Sequence, residues 1–306
     1  MTTYRTGGVS VARHARPDAP PPIWSTPPAR PRRRHRWRRN WIAGVLSAIW
    51  LAIVILPLYM VLVTSVRTQS AYLSEGAIQP PTGLTLGNYG RTLRLGFGEF
   101  LMNSVIVAVF SIVLVLALAL PAAYAITRGR SRIISGTFSM YLLGLAIPAQ
   151  AVIIPIYLIV TQLHLYDSLL AIILPSTAFS LPMSIVVLTS SLRDIPNELY
   201  EAMFVDGAGP RRTFARLVVP MARPGLITIA IFSGLNAWNG IVFPLVLTQS
   251  ESRRVLPLGL WNFQGQYGTD VPGLMAAVVL SALPVLALYL FGRRNLLRGL
   301  AAGFGK

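Results

Sequence analysis

The sequence predicts an all-α membrane protein with six transmembrane helices. Two observations support this prediction: 54% of the 306 residues are hydrophobic while only 12% are charged, and the apolar residues are concentrated in long segments. A helix needs roughly 20 apolar residues to cross about 30 Å of hydrocarbon. Six segments reach that length, at residues 41–66, 100–126, 133–163, 168–192, 225–247 and 271–292. Pro148 and Pro155 should kink the third of them.

Residues 1–40 differ in composition from the rest of the chain. They are rich in Pro and Arg and have almost no apolar content, which predicts a disordered tail. They contain no cleavage site and no short apolar region of the kind that marks a secretory signal. The basic run at 30–39 is best explained as a cytoplasmic anchor that touches anionic membrane lipid. Nucleic-acid binding is the weaker alternative, because no aromatic platform or recognition helix accompanies the charge.

The positions of Arg and Lys predict the orientation of the bundle. Ten lie in the tail, three between 128 and 132, five between 193 and 223, and four near the C-terminus. All of these fall on one side of the predicted spans, whereas the other side has only Arg67, Arg91, Arg94, Arg253 and Arg254. Because cytoplasmic loops carry the excess of basic residues, both termini are expected in the cytoplasm. The net charge of +17 therefore reflects topology rather than a nucleic-acid partner.

Several kinds of chemistry are missing from the sequence. The six segments contain no Asp, Glu, Lys, Arg or His, although ion-coupled transporters keep such residues in the membrane to bind the driving ion. The chain has no phosphate-binding loop of the G-x-x-x-x-G-K-[ST] type and no cysteine. No set of His, Asp and Glu has the spacing of metal ligands. We expect a protein that is not an enzyme, binds no cofactor or metal itself, and takes its energy from a partner.

The polar segment at 191–224, here named the 191–224 loop, lies between two apolar spans. Pro196 and the polar residues after it predict a helix start, and Leu199, Met203 and Phe204 predict an apolar face on that helix. Gly207 and Gly209 should end the helix in left-handed backbone conformations, with Gly207 as the bend. A second short helix is predicted at 211–219, closed by Pro220. Such a helix pair is typical of a docking element.

This loop resembles the EAA loop of ABC-importer permeases, whose pattern is Glu-Ala-Ala, three residues, Gly, nine residues, Ile, one residue and Leu-Pro. The matching positions are Glu201-Ala202-Met203, Gly207, Leu217 and Val219-Pro220. Met203 replaces the second alanine, and the last apolar positions keep their character. The resemblance implies the ABC type I importer permease fold and a cleft of an ATPase dimer as the docking partner. The residues implied in coupling are Glu198, Leu199, Glu201, Ala202, Met203, Phe204, Asp206, Gly207 and Pro220.

Further matches cover most of residues 41–306 and resemble the maltose-type permease subunits of carbohydrate importers. They are the segment Gly83 to Tyr89, Asn103-Ser104, Ala122 to Arg128, Trp238-Asn239, Pro244-Leu245 and the closing Gly299 to Lys306. The resemblance implies a bacterial inner-membrane protein that translocates a sugar. Its implied partners are a second permease subunit, an ATPase dimer that holds ATP and Mg²⁺, and an external binding protein that delivers the sugar. The tail at 1–40 departs from the family pattern.

Polar residues within the spans are candidates for the substrate path. Asn103, Gln150, Asn236, Trp238 and Asn239 could meet sugar hydroxyls, with Trp238 stacking on a sugar ring. The alternative is that these amides join helices to each other, as buried polar side chains often do in membranes. His164, Asp167 and Ser168 lie close together, but without a nucleophile elbow they are expected to form a polar turn rather than a hydrolase triad.

Two other functions remain open at this point. The same architecture could carry another solute, such as a polyol, phosphate, a polyamine or an amino acid. The chain could also be a membrane anchor or sensor that recruits a cytoplasmic partner without transporting anything. The matches around Asn88-Tyr89 and Trp238-Asn239 favour the sugar permease.

Overall fold

The chain folds almost entirely into helices. The structure is a computed structural model that describes residues 41–76, 78–129, 131–265 and 268–304. The predicted disorder of the tail therefore concerns residues outside the described part of the chain. Residues 52–306 form one compact unit, and of the unit before it the structure describes the start of the first helix, whose side chains are exposed.

The helices of the first half begin with α1 at Trp41–Ser65, followed by the short α2 at Gln69–Glu75 and α3 at Gly87–Thr92. A kinked turn at Leu93–Phe97, in which Gly96 has a φ of 84, leads into α4 at Gly98–Arg128. Next come α5 at Arg132–Gly144, a 3₁₀ turn at Ala149–Val152 and α6 at Ile153–Gln162. The kink predicted at Pro148 is confirmed as a break, since Pro148 stands in extended conformation between α5 and the 3₁₀ turn. The kink predicted at Pro155 is wrong, because Pro155 lies in the first turn of α6, where its missing N–H breaks no helical bond.

The second half starts with α7 at Leu169–Arg193 and the first two elements of the 191–224 loop, α8 at Asn197–Val205 and α9 at Pro210–Thr213. A π-helical turn at Phe214–Val218 joins α9 to α10 at Val219–Met221, and α11 follows at Arg223–Asn239. Then come α12 at Val242–Leu247, a 3₁₀ turn at Glu251–Arg253, α13 at Leu256–Gly259 and a 3₁₀ turn at Leu260–Phe263. The antiparallel strands β1 at Gln264–Gly265 and β2 at Gly268–Thr269 lead into α14 at Val271–Phe304.

Three helical stretches are long and apolar enough to cross a membrane, at Trp41–Ser65, Gly87–Arg128 and Leu169–Arg193. Two bent pairs raise that number to five if each pair is a single span, and an apolar helical stretch at Val271–Ala287 is shorter. The all-α membrane class is confirmed, whereas the number six stays a prediction. The difference arises because two of the predicted segments are not single helices: the third is broken at Pro148, and the fifth is interrupted between the end of α11 at Asn239 and the start of α12 at Val242.

The core is built where α4, α7 and α11 pack together. One buried cluster lies near the 191–224 loop and joins Val115, Ala119, Leu188, Leu192, Val218 and Ile229. A second cluster at the other end joins Val107, Ile172, Ile173 and Ala237 to Val255 and Leu258. Buried hydroxyls such as those of Ser184 and Ser233 donate to the carbonyl four residues earlier, which satisfies them without a partner on another helix.

The end of the bundle opposite the 191–224 loop is fastened by polar side chains. The guanidinium of Arg67 is buried and donates to the carbonyls of Gly76 and Gln79. The amide of Asn88 donates to the carbonyls of Ser65 and Arg67 at 2.9 and 2.6 Å. These bonds attach the connection between α1 and α4 to the end of α1.

Candidate functional site

The bend of the 191–224 loop is a glycine cap of the Schellman type. Helix α8 begins directly after Pro196, as predicted, and ends at Val205. The amide of Ala208 donates to the carbonyl of Met203 at 2.9 Å, and that of Gly207 donates to Phe204 at 3.0 Å. Gly207 has φ +69, so the predicted left-handed conformation is confirmed. A Cβ built on Gly207 meets no atom within 4 Å, so only the backbone conformation selects glycine here.

Gly209 does not share this role, and the prediction of a left-handed conformation there is wrong. Its φ of −69 and ψ of 168 are extended, and it precedes the first turn of α9. The reason is Pro210, which pushes the residue before it into the extended region. A Cβ on Gly209 also meets nothing within 4 Å.

Helix α8 exposes large apolar side chains that pack against nothing within the described residues. Phe204 is 82% exposed, Val205 83% and Leu199 39%, whereas Met203 is half-buried. The predicted single face of Leu199, Met203 and Phe204 is wrong, because residues five apart on an α-helix lie about 140° apart. Val205 was not predicted and is the most exposed of these side chains. The exposed residues around them include Glu198, Glu201, Ala202 and Asp206.

The inner side of α8 is attached to the end of α4 by Arg128, in an arrangement that we name the Arg128 joint. Nη1 of Arg128 donates to Oδ1 of Asn197 at 2.7 Å. The Arg128 guanidinium carbon lies 3.3 Å from the centroid of the Tyr200 ring, which is a cation–π contact. Tyr200 stacks on Tyr124 of α4 with the ring centroids 6.5 Å apart.

The joint also reaches the second part of the 191–224 loop. Tyr124 meets the ring of Phe214, with centroids 5.6 Å apart and planes tilted by 56°. Nε of Arg128 and the hydroxyl of Tyr200 are buried and have no hydrogen-bond partner among the described residues. From the sequence, Arg128 was noted for topology and for the match at Ala122 to Arg128, and Tyr200 was not predicted, because no sequence spacing connects residues 72 positions apart.

The second part of the loop is helical from Pro210 to Met221, with Pro210 at its start as predicted. The prediction that Pro220 closes this helix is wrong, since the helix runs one residue further. Pro220 has no N–H to donate, and the π-helical turn at Phe214–Val218 directly before its short helix is consistent with that missing bond. The chain then bends by 71° into α11. Val218 and Ala222 on this stretch are buried in the core between α4 and α7, so the loop is continuous with the packed bundle.

The five candidates for the substrate path lie in three environments. Asn103 is buried, and its amide donates to the carbonyls of Ser252 and Arg254, both at 2.9 Å. Trp238 is half-buried and packs against two of the core clusters. Gln150, Asn236 and Asn239 are exposed, the first in the break before α6 and the other two one turn apart on α11. The amide of Asn239 donates to the carbonyl of Leu235 at 2.9 Å.

Asp167 connects two loops at the end of the bundle opposite the 191–224 loop, in what we name the Asp167 clip. Its carboxylate accepts from the amides of Gln249 and Ser250 at 2.8 and 2.9 Å and from the Ser250 hydroxyl. The side-chain bond from Ser250 is the main cause that lowers the pKa of this carboxyl below its ordinary value of 3.8. His164 and Asp167 have φ of 55 and 59, and Ser168 caps α7. The three residues form a turn, as predicted.

No group of three or more acidic, His or Cys side chains that could hold a metal ion occurs among the residues that the structure describes. The carboxylates of Glu198, Glu201 and Asp206 make no ion pair or hydrogen bond within this part of the chain. They surround the apolar surface of α8 and leave it open.

Comparison with known proteins identifies the family. A family model described as the binding-protein-dependent transport system inner membrane component matches residues 81–301. A putative ABC transporter permease protein of Caldicellulosiruptor sp. (strain Rt8B.4) is 42% identical over 259 residues, which cover 85% of this chain and 94% of the relative. The diacetylchitobiose uptake system permease protein NgcG of Streptomyces coelicolor is 32% identical over 269 residues, with coverage of 86% and 87%.

The fold agrees with a solved transporter. The structure of a bacterial ABC transporter involved in the import of the acidic polysaccharide alginate superposes with a TM-score of 0.72 at 21% identity, over 83% of this chain and 95% of the other. The family model covers well over half of the chain, and its boundaries enclose both the 191–224 loop and the Arg128 joint. The chain therefore belongs to the family of binding-protein-dependent transport system inner membrane components, the permease subunits of ABC importers.

Proposed function

We propose that this permease subunit translocates a sugar delivered by an external binding protein, and that a partner ATPase drives it through the 191–224 loop. The apolar surface of α8, presented on a fixed bend, is the observation that supports the coupling role most directly. The relative with a diacetylchitobiose uptake name supports a sugar as the solute. The chain itself is then not an enzyme and binds no cofactor, and ATP with Mg²⁺ belongs to the ATPase.

Magnitudes favour a whole apolar surface over a single charged contact. Moving a two-state equilibrium from 1:99 to 99:1 needs about 5.5 kcal/mol of differential binding. One exposed ion pair, such as Glu201 could form, supplies roughly 0–1 kcal/mol. Full burial of an apolar side chain contributes about 1.5–3 kcal/mol, so Phe204 and Val205 together reach the required order. A cleft that closes on these two side chains in only one ATPase state can therefore drive the change.

The Arg128 joint transmits a displacement of α8 to the helix bundle. Arg128 and Tyr124 are on α4, and both contact aromatic rings of the loop, one on α8 and one on the following helical stretch. A displacement of α8 therefore acts on α4 directly. We propose that this movement, together with that of a second permease subunit, alternates access to the path between them. The basic side of the bundle, with both termini, faces the cytoplasm in this proposal.

The experiment compares two double variants with wild type in the assembled transporter. Phe204→Ser with Val205→Ser should reduce both the amount of ATPase that stays bound to the permease and the sugar-stimulated ATP hydrolysis by tenfold or more. The reason is that serine offers no large apolar surface for the ATPase cleft to bury. The control is Leu84→Ser with Leu86→Ser, which changes two similarly exposed apolar residues far along the chain from the loop. Its hydrolysis should match wild type.

Two outcomes would refute the proposal. Full stimulation in the Phe204 and Val205 double variant would show that α8 is not the coupling element. Uptake driven by a proton or sodium gradient in vesicles without an ATPase would show that the energy has another source.

A further inference from the structure

A cavity of about 450 Å³ opens at the end of the bundle opposite the 191–224 loop. It lies between the end of α12 and the segment 248–264, and its walls include Leu245, Gln249, Arg254, Leu258, Trp261 and Gln264. Pockets for small ligands usually measure about 300–1,000 Å³. A cavity of about 450 Å³ has room for roughly one or two sugar rings. The sequence did not predict Gln249, Trp261 or Gln264 as residues of a site.

The lining combines an aromatic ring with free amides. Trp261 is 46% exposed, so one part of its indole is open to the cavity. The side-chain amides of Gln249 and Gln264 make no hydrogen bond within the described residues, and each can both donate and accept. The apolar face of a pyranose ring packs well on an indole, while its hydroxyls need donors and acceptors around the edge. This lining supplies both.

The charges around the cavity balance, which favours a neutral ligand. Arg254 lies 3.9 Å from Glu251 and donates to Asn262, whose own amide donates to Glu251 at 3.0 Å. Arg254 is the charged residue that lines the cavity within the described part of the chain, and the carboxylate of Glu251 offsets its charge, so the lining does not favour an acidic sugar.

The walls are held in place by bonds to helix α4. Asn103 donates to the carbonyls of Ser252 and Arg254, and the hydroxyl of Ser104 accepts from the amide of Leu256 at 2.8 Å. A Cβ on Gly259 would lie 2.3 Å from the ring of Phe100, so this part of the wall sits directly on α4. A cavity whose walls are fixed in this way loses little conformational entropy when it binds a ligand.

We propose that this cavity is a subsite for a neutral sugar, with Trp261 as the stacking platform and the amides of Gln249 and Gln264 as hydroxyl partners. The subsite is separate from the exposed amides of α11 and adds a sugar contact at the opposite end from the 191–224 loop. Asn103 acts here as a positioning residue, because it holds the wall and does not touch the ligand. This inference rests on the proposed function as a sugar permease.

The test uses the fact that the chain contains no cysteine. Gln249→Cys is introduced into the full complex in lipid nanodiscs without the binding protein, and its reaction with a maleimide is timed at increasing concentrations of sugar. The probes are trehalose, diacetylchitobiose, maltose and an alginate disaccharide, together with a neutral sugar that wild-type cells take up. The imported neutral sugar should slow labelling severalfold, and the acidic disaccharide should not. Ser74→Cys, exposed on α2, is the control and should react at one rate throughout.

A second variant ties the protection to the indole. Adding Trp261→Ala to Gln249→Cys should abolish the protection, and Trp261→Phe should keep most of it. The proposal is wrong if the imported sugar does not change the labelling rate of Gln249→Cys, or if Trp261→Ala leaves the protection unchanged. It is also wrong if the acidic disaccharide protects as well as the imported neutral sugar does. The proposed function survives each of those results as long as the wild-type complex imports the sugar. If it imports no sugar at all, the proposed function fails and this subsite with it.

Discussion

Gly207 and Asp167 are single residues whose backbone conformations fix the ends of larger elements. Gly207 adopts φ +69 at the end of α8, where glycine is the residue that pays least for a left-handed conformation. Asp167 adopts a similar φ of 59 without being glycine, and its carboxylate is held by three hydrogen bonds from the loop after α12. Gly207 fixes the end of α8 because it has no side chain, whereas Asp167 connects two loops through the hydrogen bonds of its side chain.

Gly207→Val should reduce transport and sugar-stimulated ATP hydrolysis by tenfold or more while the chain still inserts in the membrane. A side chain in the left-handed region costs on the order of 1–2 kcal/mol, and a β-branched one costs more, so the cap of α8 should give way. Insertion depends on the hydrophobicity of the spans and should not change. The measurement is ATPase activity of the reconstituted complex, with membrane content by immunoblot.

Gly209→Ala is the matched control for this change. Its backbone is already extended and its Cβ has free space, so activity should match wild type. Full activity in Gly207→Val would show that the bend is not part of the coupling. Equal loss in both variants would show that the loop needs flexibility rather than one fixed turn.

Asp167→Asn should lower the melting temperature of the purified complex at neutral pH. The pKa of Asp167 is lowered in the folded chain, so the clip stabilises fully above the ordinary value of 3.8 and is lost as pH falls through the folded pKa. The difference between wild type and variant should therefore be constant near pH 7 and shrink below pH 3.8. Ser176→Ala, a half-buried hydroxyl on α7, is a control that keeps the clip. A difference that grows on acidification would contradict this assignment.

At the scale of elements, α4 and α8 are joined by a guanidinium that makes two contacts at once. Arg128 bonds to Asn197 and covers the ring of Tyr200, and that ring in turn stacks on Tyr124 of α4. A planar fork can make a side-on hydrogen bond and a face-on aromatic contact together, which an ammonium group on a flexible chain does poorly. The identity of Arg128 should therefore matter beyond its charge.

Arg128→Lys should keep the topology and the assembly but lower sugar-stimulated ATP hydrolysis by about tenfold, the factor that follows from roughly 1.4 kcal/mol of lost coupling. The positive charge remains on the same side, so the orientation has no reason to change. The measurements are the rate of sugar-stimulated ATP hydrolysis and the ratio of sugar imported to ATP hydrolysed. Arg132→Lys, exposed at the start of α5, provides the control. An unchanged ratio and rate in Arg128→Lys would show that the joint is structural only.

At the scale of the whole molecule, the basic loops and the neutral cavity lie at opposite ends of the bundle. Cysteines at Ser74→Cys and Gln249→Cys should react with an impermeant maleimide on intact cells, whereas Ala215→Cys should react only after permeabilisation. All three positions are exposed, so lack of reaction reports the side of the membrane and not burial. Labelling of Ala215→Cys in intact cells would reverse the proposed orientation.

The sequence was sufficient for the features that depend on local spacing. The helix start at Asn197, the cap at Gly207 and the break near Pro148 follow from residue types close together in the chain, and all three are confirmed. The errors at Gly209 and Pro220 are also local, since Pro210 holds Gly209 in the extended region and the missing N–H of Pro220 did not end the helix at that residue. The number of spans could not be settled, because hydropathy does not register a bend inside an apolar segment.

The tertiary contacts could not be predicted from the sequence, for a different reason. Tyr200 meets Arg128, Asp167 meets Ser250, and Asn103 meets Arg254, each across a long stretch of chain. No periodicity or motif relates such pairs, and the packing of α4 against α7 and α11 creates them. The cavity beside Trp261 belongs to the same class, since its walls come together only when the segment 248–264 folds onto α4.

Helix α4 carries Asn103 and Ser104 near one end and Arg128 at the other, over a single helix of 31 residues. The wall of the cavity and the joint to α8 therefore share one element. Linkage then requires reciprocity: if the ATPase changes sugar affinity at the cavity by some factor, the sugar changes ATPase affinity at α8 by the same factor. Titrating each ligand with and without the other would give two coupling constants, and their equality would follow from thermodynamics whatever the route between them.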